Sequence, residues 1–364
     1  MFARAVLLFA AIMSSAPVAA RMSSPPLVLD SKIPLGEVSG RIDHLGIDLQ
    51  RQRLFVAELG NDSVGVVDLV AGKVLRTIPG MSEPQGVAYV PFADSVYVAN
   101  GGDGSVRVLR GDDLAPIARI ELGSDADNVR VDAQRNRVLV GYGKGALAVI
   151  DPATRTKTAD IVLQAHPEGF QIDETGTRAF VNLPDVRAIE VVDLAQGASR
   201  SLPTQGARSN FPMAIDGAGH RVLVVFRSLP TLMALSGQDG QIAAKVETCK
   251  DAEDVFVDAN RGRIYVSCGE GVVDVLDRAG AGYRQLAHVP TVPGARTSLF
   301  VPELDRLFVA VRANRRGFGC SGQPREGGPT HRSARCCGRA RLLVRRRVGL
   351  SPLRRHGCRR GGKG

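Results

Sequence analysis

The sequence of 364 residues contains no tryptophan, and only 5% of its residues are aromatic. It also lacks the short motifs that assign an enzyme class directly. There is no CxxCH motif for covalent haem attachment. No GxSxG turn, phosphate-binding loop or dinucleotide fingerprint lies in a strand-to-helix context. Sustained helical periodicity is missing as well, so the helical and α/β enzyme classes are not indicated.

Apolar runs long enough to span a bilayer are also missing, and the run that comes nearest begins the chain. Residues 1–20, MFARAVLLFAAIMSSAPVAA, combine a basic Arg4, an apolar run from Ala5 to Met13 and a small-residue end. This order is typical of a secretory signal peptide, and the run is shorter than the ~20 residues that span a bilayer. We expect cleavage after Ala20 and a periplasmic protein without a membrane span. A buried N-terminal helix is the alternative.

Acidic residues are scarce in one segment only. Residues 313–364 contain 14 Arg and one Lys but a single acid, Glu326, whereas the other residues carry 32 basic and 36 acidic side chains. The formal net charge of +10 therefore arises from this segment. Because the remainder is mildly acidic, we do not expect the body of the protein to bind nucleic acid.

The segment 313–364 differs in composition from everything before it. It has no Ile, Asp, Tyr or Met and holds four of the six Cys residues. A GC-rich gene read out of frame would produce this mixture, so we interpret the segment as a disordered or frameshift-derived tail. A genuine basic arm is the alternative. A zinc knuckle is disfavoured because the Cys and His residues lack the regular paired spacing of such sites.

Repetition dominates the body of the sequence. The blocks RLFVAE, SVYVAN, RVLVGY, RAFVNL, RVLVVF, RIYVSC and RLFVAV recur in that order. The fourth residues of these blocks are Val56, Val98, Val140, Val181, Val224, Val266 and Val309, at intervals of 41–43 residues. A second block, ending mostly in Asp, keeps the same period from Asp68 to Asp277. Two markers with one period indicate a repeat architecture.

Each repeat contains four short apolar runs separated by Gly, Asp and Pro, which are strand and turn signals. One four-stranded antiparallel sheet per ~40–45 residues is typical of a β-propeller blade. We therefore predict an all-β, seven-bladed β-propeller over residues 21–312. The stretch PLVLDSKIPLG, residues 26–36, resembles a fourth strand and is expected to close blade seven. That blade is expected to be incomplete and less stable, because the tail replaces its third strand.

Two stretches of the first repeats carry a family resemblance. GNDSVGVVDLVAGKVLRTI (60–78) and VYVANGGDGSV (96–106) resemble the YVTN-repeat (YncE-like) family of exported seven-bladed propellers. The resemblance extends from residue 25 to about residue 312. It implies a binding protein of the cell envelope, whose partner is a small molecule or an envelope protein, and we expect a monomer. The lack of Trp argues against the quinoprotein dehydrogenase propellers, whose repeats end in Trp.

The candidate site follows from aligning the innermost strands of the blades. The residue five positions before the end of each strand should face one mouth of the central channel. These residues are Asp43, Gln85, Asp127, Glu168, Phe211, Glu253 and Arg296, and the next residues are His44, Gly86, Asn128, Gly169, Pro212, Asp254 and Thr297. His166 is the other His near this face. Hairpin loops on the same side offer Asn61, Asp62, Asn100, Asp103, Lys144, Asp185, Arg227 and Glu270.

Several functions fit such an acidic ring. A ligand- or protein-binding face at the mouth is the first, with no cofactor evident in the sequence. A lactonase-like, metal-dependent hydrolase is the second, with a divalent cation held by some of Asp43, His44, Asp127 and Glu168. A scaffold without a small-molecule site is the third, in which the acids merely form a solvated rim. Crowded carboxyl groups without a metal should have raised pKa values.

Two cysteines lie in the body of the protein. Cys249 and Cys268 bracket the first two strands of blade six and fall at the same end of that blade. Because an exported protein enters an oxidising compartment, we expect a disulfide between them. Two buried free thiols are the alternative.

Overall fold

The computed structural model describes residues 25–313 and 340–347. Within them, 28 strands form seven four-stranded antiparallel sheets, which are the blades of a β-propeller. Residues 1–20, where the signal peptide is predicted, lie outside the described residues. Across the described ranges no helix has the length and hydrophobicity needed to cross a bilayer.

Six blades are each built from consecutive strands, numbered along the chain. Blade one contains β2 (Leu45–Asp48), β3 (Arg53–Glu58), β4 (Ser63–Asp68) and β5 (Lys73–Pro79). Blade two contains β6 (Pro84–Val90), β7 (Ser95–Asn100), β8 (Ser105–Arg110) and β9 (Pro116–Glu121). Blade three contains β10 (Ala126–Asp132), β11 (Arg137–Tyr142), β12 (Ala146–Asp151) and β13 (Thr156–Val162).

The next three blades follow the same order. Blade four contains β14 (Phe170–Ile172), β15 (Arg178–Leu183), β16 (Ala188–Asp193) and β17 (Ser199–Pro203). Blade five contains β18 (Asn210–Asp216), β19 (Arg221–Phe226), β20 (Thr231–Ser236) and β21 (Ile242–Glu247). Blade six contains β22 (Ala252–Asp258), β23 (Arg263–Cys268), β24 (Val272–Ala279) and β25 (Gly282–Pro290). Within the described residues, single 3₁₀ turns lie at Leu59–Asn61, Pro91–Ala93, Pro184–Val186, Gly217–Gly219 and Pro302–Leu304.

Burial explains why the recurring blocks are apolar throughout. They form the second strand of each blade, which is covered on both faces by the neighbouring blades, as in β3 and β7. The outermost strands have one exposed face and alternate instead, as β21 does. The innermost strands approach closely at the channel: a Cβ atom on Gly46 would lie 2.8 Å from the Val87 carbonyl oxygen of the next blade.

Blade seven joins the two ends of the described chain. It pairs β26 (Ser298–Val301), β27 (Arg306–Val311), β28 (Arg341–Arg347) and β1 (Leu27–Pro34), with β28 between β27 and β1. The N-terminal strand therefore closes the ring as expected. The expectation that this blade lacks its third strand was wrong, because Arg341–Arg347, within the basic tail, supplies it. Leu342 and Val344 pack towards blade one and Leu343 towards blade six, so this short apolar run meets the requirement of the blade.

One residue of β28, Arg345, differs in type from the residues that the other blades have at the same position. Arg345 pairs with Leu307 of β27 and is only 9% exposed. The other six blades have a buried aliphatic side chain at this position: Val67, Leu109, Ile150, Val192, Leu235 and Leu276. The guanidinium donates a hydrogen bond to the Pro290 carbonyl, while its buried Nε has no partner among the described residues. Burial lowers the pKa of Arg345.

The positive charge of the next residue, Arg346, is compensated by an acid of the N-terminal strand. Arg346 pairs with Arg306, whereas blade one has the opposite-charge pair Arg53–Asp68 at this position. Asp30 of β1 lies 3.1 Å from Arg306 and 4.0 Å from Arg346. The closing strand therefore supplies the acid that the third strand lacks.

Blade six carries a covalent link. Cys249, in the loop before β22, forms a disulfide with Cys268 at the end of β23. Both residues are buried in the core between blades five and six. The disulfide therefore holds the entrance of the inner strand against the second strand of the same blade.

Replacing Arg345 with Val should raise the free energy of unfolding by about 1–3 kcal/mol, because it removes a buried donor that has no partner. Urea unfolding of both proteins measures the difference. Arg346→Val is the matched control, since that side chain is 63% exposed, and it should change stability by less than about 0.5 kcal/mol. A loss of stability in Arg345→Val would show that the guanidinium is well accommodated.

Candidate functional site

One cavity of about 370 Å³ lies at the end of the channel where the inner strands begin. All seven residues of the first predicted ring line it, because each lies at or just before the start of an inner strand. Arg41, His44, Asp125, His166 and Arg227 complete the lining. We call this cavity the mouth. Its acidic half consists of Asp125, Asp127, His166 and Glu168, and its arginine half of Arg41, Asp43, Arg227, Glu253 and Arg296.

The arginine half is internally neutralised. Arg41 Nη2 lies 2.8 Å from Asp43 Oδ2, and Arg296 Nε lies 3.2 Å from Glu253 Oε2. Arg227 hydrogen-bonds to Glu253, and its guanidinium stacks 3.8 Å from the centroid of the Phe211 ring. Each guanidinium in this half therefore has a carboxylate partner.

The acidic half has no such partners. Asp127 is 6% exposed, and its Oδ1 accepts no hydrogen bond from the described residues. Among these residues Glu168 has no ion pair within 4.0 Å. His166 Nδ1 lies 2.6 Å from the Gly143 carbonyl oxygen and 3.6 Å from Asp125 Oδ2. Two carboxyl groups, Asp127 and Glu168, therefore face the mouth without an arginine or lysine.

His44 lies at the floor of the mouth among three carboxyl groups. Its Nε2 is 3.9 Å from Asp43 Oδ1 and 4.0 Å from Asp127 Oδ1, while its Nδ1 is 3.9 Å from Asp254 Oδ1. Burial lowers the pKa of His44, but the three neighbouring acids outweigh it and the pKa is raised. His44 thus carries positive charge more readily than a free imidazole.

Burial raises the pKa values of the carboxyl groups around His44. It raises the pKa of Asp43 and of Glu168 to about 7 each, and that of Asp254 to about 6. Burial also raises the pKa of Asp127, against the opposing effect of His44. For Glu168 the next cause is the negative charge of Asp127. The mouth therefore gains negative charge as pH rises through 6 and 7.

The structure brings most of the residues named from the sequence to this place. Asp43, His44, Gln85, Asp127, His166, Glu168 and Arg296 line the mouth. Asn128 and Asp254 lie one layer deeper, beside His44, where Asp254 Oδ2 accepts a hydrogen bond of 2.7 Å from the Ser298 amide. Of the hairpin-loop residues, only Arg227 lines the mouth within the described chain.

Sequence reasoning missed Arg41 and Asp125, which lie two residues before ring positions Asp43 and Asp127. Both sit in loops whose path depends on the preceding blade, so an alignment of inner strands could not place them. The sequence signal that could have indicated them is that each lies two positions before an acid of the first ring, Asp43 or Asp127. Gln85 Nε2 donates a hydrogen bond of 3.2 Å to Asp125 Oδ1, which fixes this loop to blade two.

The donor atoms of the suggested metal ligands are not clustered. Within the described residues no three His, Cys, Asp or Glu side chains are close enough together to hold one metal ion. The contacts of His44 with Asp43 and Asp127 are 3.9–4.0 Å long. A bound metal would require these side chains to move towards one another.

The fold and site together define a seven-bladed β-propeller with a charged mouth. No family model and no curated protein matches the sequence. Solved structures similar to this chain include the hydrazine synthase of Kuenenia stuttgartiensis, with a TM-score of 0.64 and 18% identity over 76% of this chain and 92% of that one. A chain of a mitotic checkpoint complex matches with a TM-score of 0.69 and 12% identity over 84% and 95%. At these identities the likeness shows the fold alone.

Glu168→Gln should stabilise the protein at pH 8 but not at pH 4. The ordinary glutamate pKa near 4.5 applies to the unfolded chain and about 7 to the folded protein. Between these pH values the unfolded chain has released a proton that the folded protein keeps, so this carboxyl lowers stability as pH rises. Its removal should add roughly 2–3 kcal/mol at pH 8.

Urea unfolding at pH 4, 6 and 8 measures this effect. Glu303→Gln, at an exposed glutamate outside the mouth, is the matched control and should leave the difference near zero at each pH. A constant difference between Glu168→Gln and the parent across this range would contradict the raised pKa.

Proposed function

We propose that this protein is a binding module that holds a small organic cation in the acidic half of the mouth. The observation that carries the proposal is Asp127, a buried carboxyl group whose Oδ1 accepts no hydrogen bond from the described residues and lies 4.0 Å from His44 Nε2. A buried polar atom without a hydrogen bond is unfavourable, and a ligand that donates one would supply the missing interaction. Glu168 and Asp125 line the same side, so an ammonium group would find three carboxyl groups there.

Three guanidinium groups, those of Arg41, Arg227 and Arg296, line the same cavity of about 370 Å³. Each of them is paired with the carboxylate of Asp43 or Glu253, so Asp127 and Glu168 are the acids left for a ligand cation. The Phe211 ring also lines the mouth, with the Arg227 guanidinium stacked on it.

We further propose that the protein is an exported, periplasmic member of the YVTN-like propellers. The stretches resembling that family, the pattern of residues 1–20 and the Cys249–Cys268 disulfide support this assignment, since disulfides persist in oxidising compartments. Intact mass of the protein purified from the host periplasm tests it. A mass that includes residues 1–20, or recovery in the cytoplasm with both thiols free, would reject export.

Three other functions are the alternatives, two of which use the same face and one of which does not. An envelope protein with a protruding Lys or Arg would occupy the acidic half in the same way as a small amine. A metal-dependent hydrolase would need a cation drawn in by Asp43, His44, Asp127 or Glu168. A scaffold would bind through blade edges and leave the mouth empty. The binding assay below distinguishes them.

Benzylammonium is a suitable probe, with benzyl alcohol as its neutral counterpart. Titration calorimetry at pH 7.5 should show binding of benzylammonium only, and Asp127→Asn and Glu168→Gln should each weaken it at least tenfold, about 1.4 kcal/mol. Both substitutions preserve shape while removing charge, and Glu303→Gln should bind normally.

Three outcomes would overturn the assignment to a small cation. Unchanged affinity in both mouth variants would place the amine elsewhere. Equal binding of benzyl alcohol would make charge irrelevant. Displacement of benzylammonium by micromolar Ca²⁺ or Zn²⁺ would favour the metal-dependent alternative.

A further inference from the structure

A second cavity of about 380 Å³ runs along the inner strands, on the other side of His44 from the mouth. We call it the channel cavity. Its walls combine the apolar side chains of Ile47, Ala88, Phe256 and Leu299 with the polar side chains of His44, Arg130 and Asp254; Tyr89, Gln171 and Ser298 also line it. A cavity of this volume that offers both apolar surface and charged groups has the form of a small-molecule site.

Arg130 is the unusual group in this cavity. Its Nε donates a hydrogen bond of 2.9 Å to the Phe170 carbonyl, and its Nη1 donates one of 2.9 Å to the Val129 carbonyl. Nη2 donates no hydrogen bond to any described residue. These two bonds hold the guanidinium in a fixed position between blades three and four.

No carboxylate of the described chain lies within 4.0 Å of Arg130. Arg41, Arg227 and Arg296 of the mouth each have such a partner. Burial lowers the pKa of Arg130, and the more distant Asp254 and Asp127 only partly oppose this effect. Arg130 is half-buried, and its guanidinium lies 5.4 Å from the centroid of the Phe170 ring. A partly desolvated cation without a counter-ion is costly, and an anionic ligand would supply the carboxylate that the described chain does not.

Asp254 does not fill this role. Its Oδ2 accepts the hydrogen bond from the Ser298 amide, and its Oδ1 is 3.9 Å from His44 Nδ1. The backbone amide and the imidazole therefore hold this carboxyl towards blades one and seven. Arg130 remains as a charged side chain of the channel cavity that has no carboxylate within 4.0 Å among the described residues.

We propose that the channel cavity is a second binding site, which takes a small organic carboxylate with an apolar body. The carboxylate binds the Arg130 guanidinium, and the body lies against Phe256 and Leu299. A charge-assisted bond from a fixed guanidinium provides both strength and orientation. The site is distinct from the cation site in the mouth, since Arg130 does not line the mouth and Asp127 does not line the channel cavity. The two sites share His44 as a lining residue, and the charge of Asp127 acts on Arg130 from a distance.

Benzoate is the probe for this site, because it shares the aromatic body of benzylammonium with the opposite charge. Titration calorimetry should show benzoate binding to the parent protein, and Arg130→Met should weaken it at least tenfold. Ala88→Phe, which fills the apolar part of the cavity and keeps the guanidinium, should weaken it similarly. Asp127→Asn should leave benzoate affinity within twofold.

Benzylammonium binding to the same variants provides the folding control. Arg130→Met and Ala88→Phe should bind the amine as the parent does, which shows that the ring is intact. No benzoate binding to the parent protein at 10 mM would overturn the proposal, as would equal benzoate affinity in Arg130→Met. Tighter benzoate binding in Asp127→Asn, with no change in Arg130→Met, would place the anion in the mouth and would also overturn it. Failure of benzylammonium to bind the parent would reject only the cation site.

Discussion

The structure depends on closing a ring of blades whose second strands are buried on both faces. Each of these strands is stable only between two neighbours, so the ring tolerates no gap. Closure is made by β1 pairing with β28, and by Thr297 Oγ1, which donates a hydrogen bond of 3.2 Å to the Ile42 carbonyl across the junction of blades seven and one. Because closure fixes the register of every inner strand, it also forces seven side chains of equivalent position into one small mouth. The burial that raises the pKa values of Asp43 and Glu168 is therefore a consequence of the fold.

Ring closure also explains the role of a segment that differs from the rest of the chain. The composition of residues 313–364 indicates a tail outside the propeller, yet Leu342, Leu343 and Val344 fill the third strand of blade seven. The strand between β27 and β1 needs apolar side chains on both faces of the sheet. This requirement is less strict than a match to the repeat sequence, so a short apolar run of the tail meets it. Arg345 shows the difference, since a buried guanidinium occupies a position where six blades have an aliphatic side chain.

The number of blades and the members of the first ring were predictable from the 41–43-residue period, because register propagates unchanged through equivalent strands. The division of the mouth into two halves was not. This division depends on the paths of the loops that carry Arg41 and Arg227 into the mouth. It also depends on which carboxyl groups these two arginines neutralise. Arg130 was overlooked because it lies on an inner strand, three residues after the ring position Asp127, where the sequence shows only alternation. Charged side chains of different blades meet only in the closed ring. The sequence of one repeat therefore does not indicate which of them pair.

His44 lines both the mouth and the channel cavity. The site proposed for a cation and the site proposed for an anion therefore meet at this residue. A cation that enters the mouth should convert protonated carboxyl groups there to carboxylates. Calorimetry of benzylammonium binding at pH 6.5, in buffers of different ionisation enthalpy, tests it most directly. Glu168, with a pKa of about 7, is protonated in roughly three-quarters of the molecules at pH 6.5, so binding should release at least about 0.5 proton. Binding without proton release would contradict the account, because the acids would then be ionised before the ligand arrives.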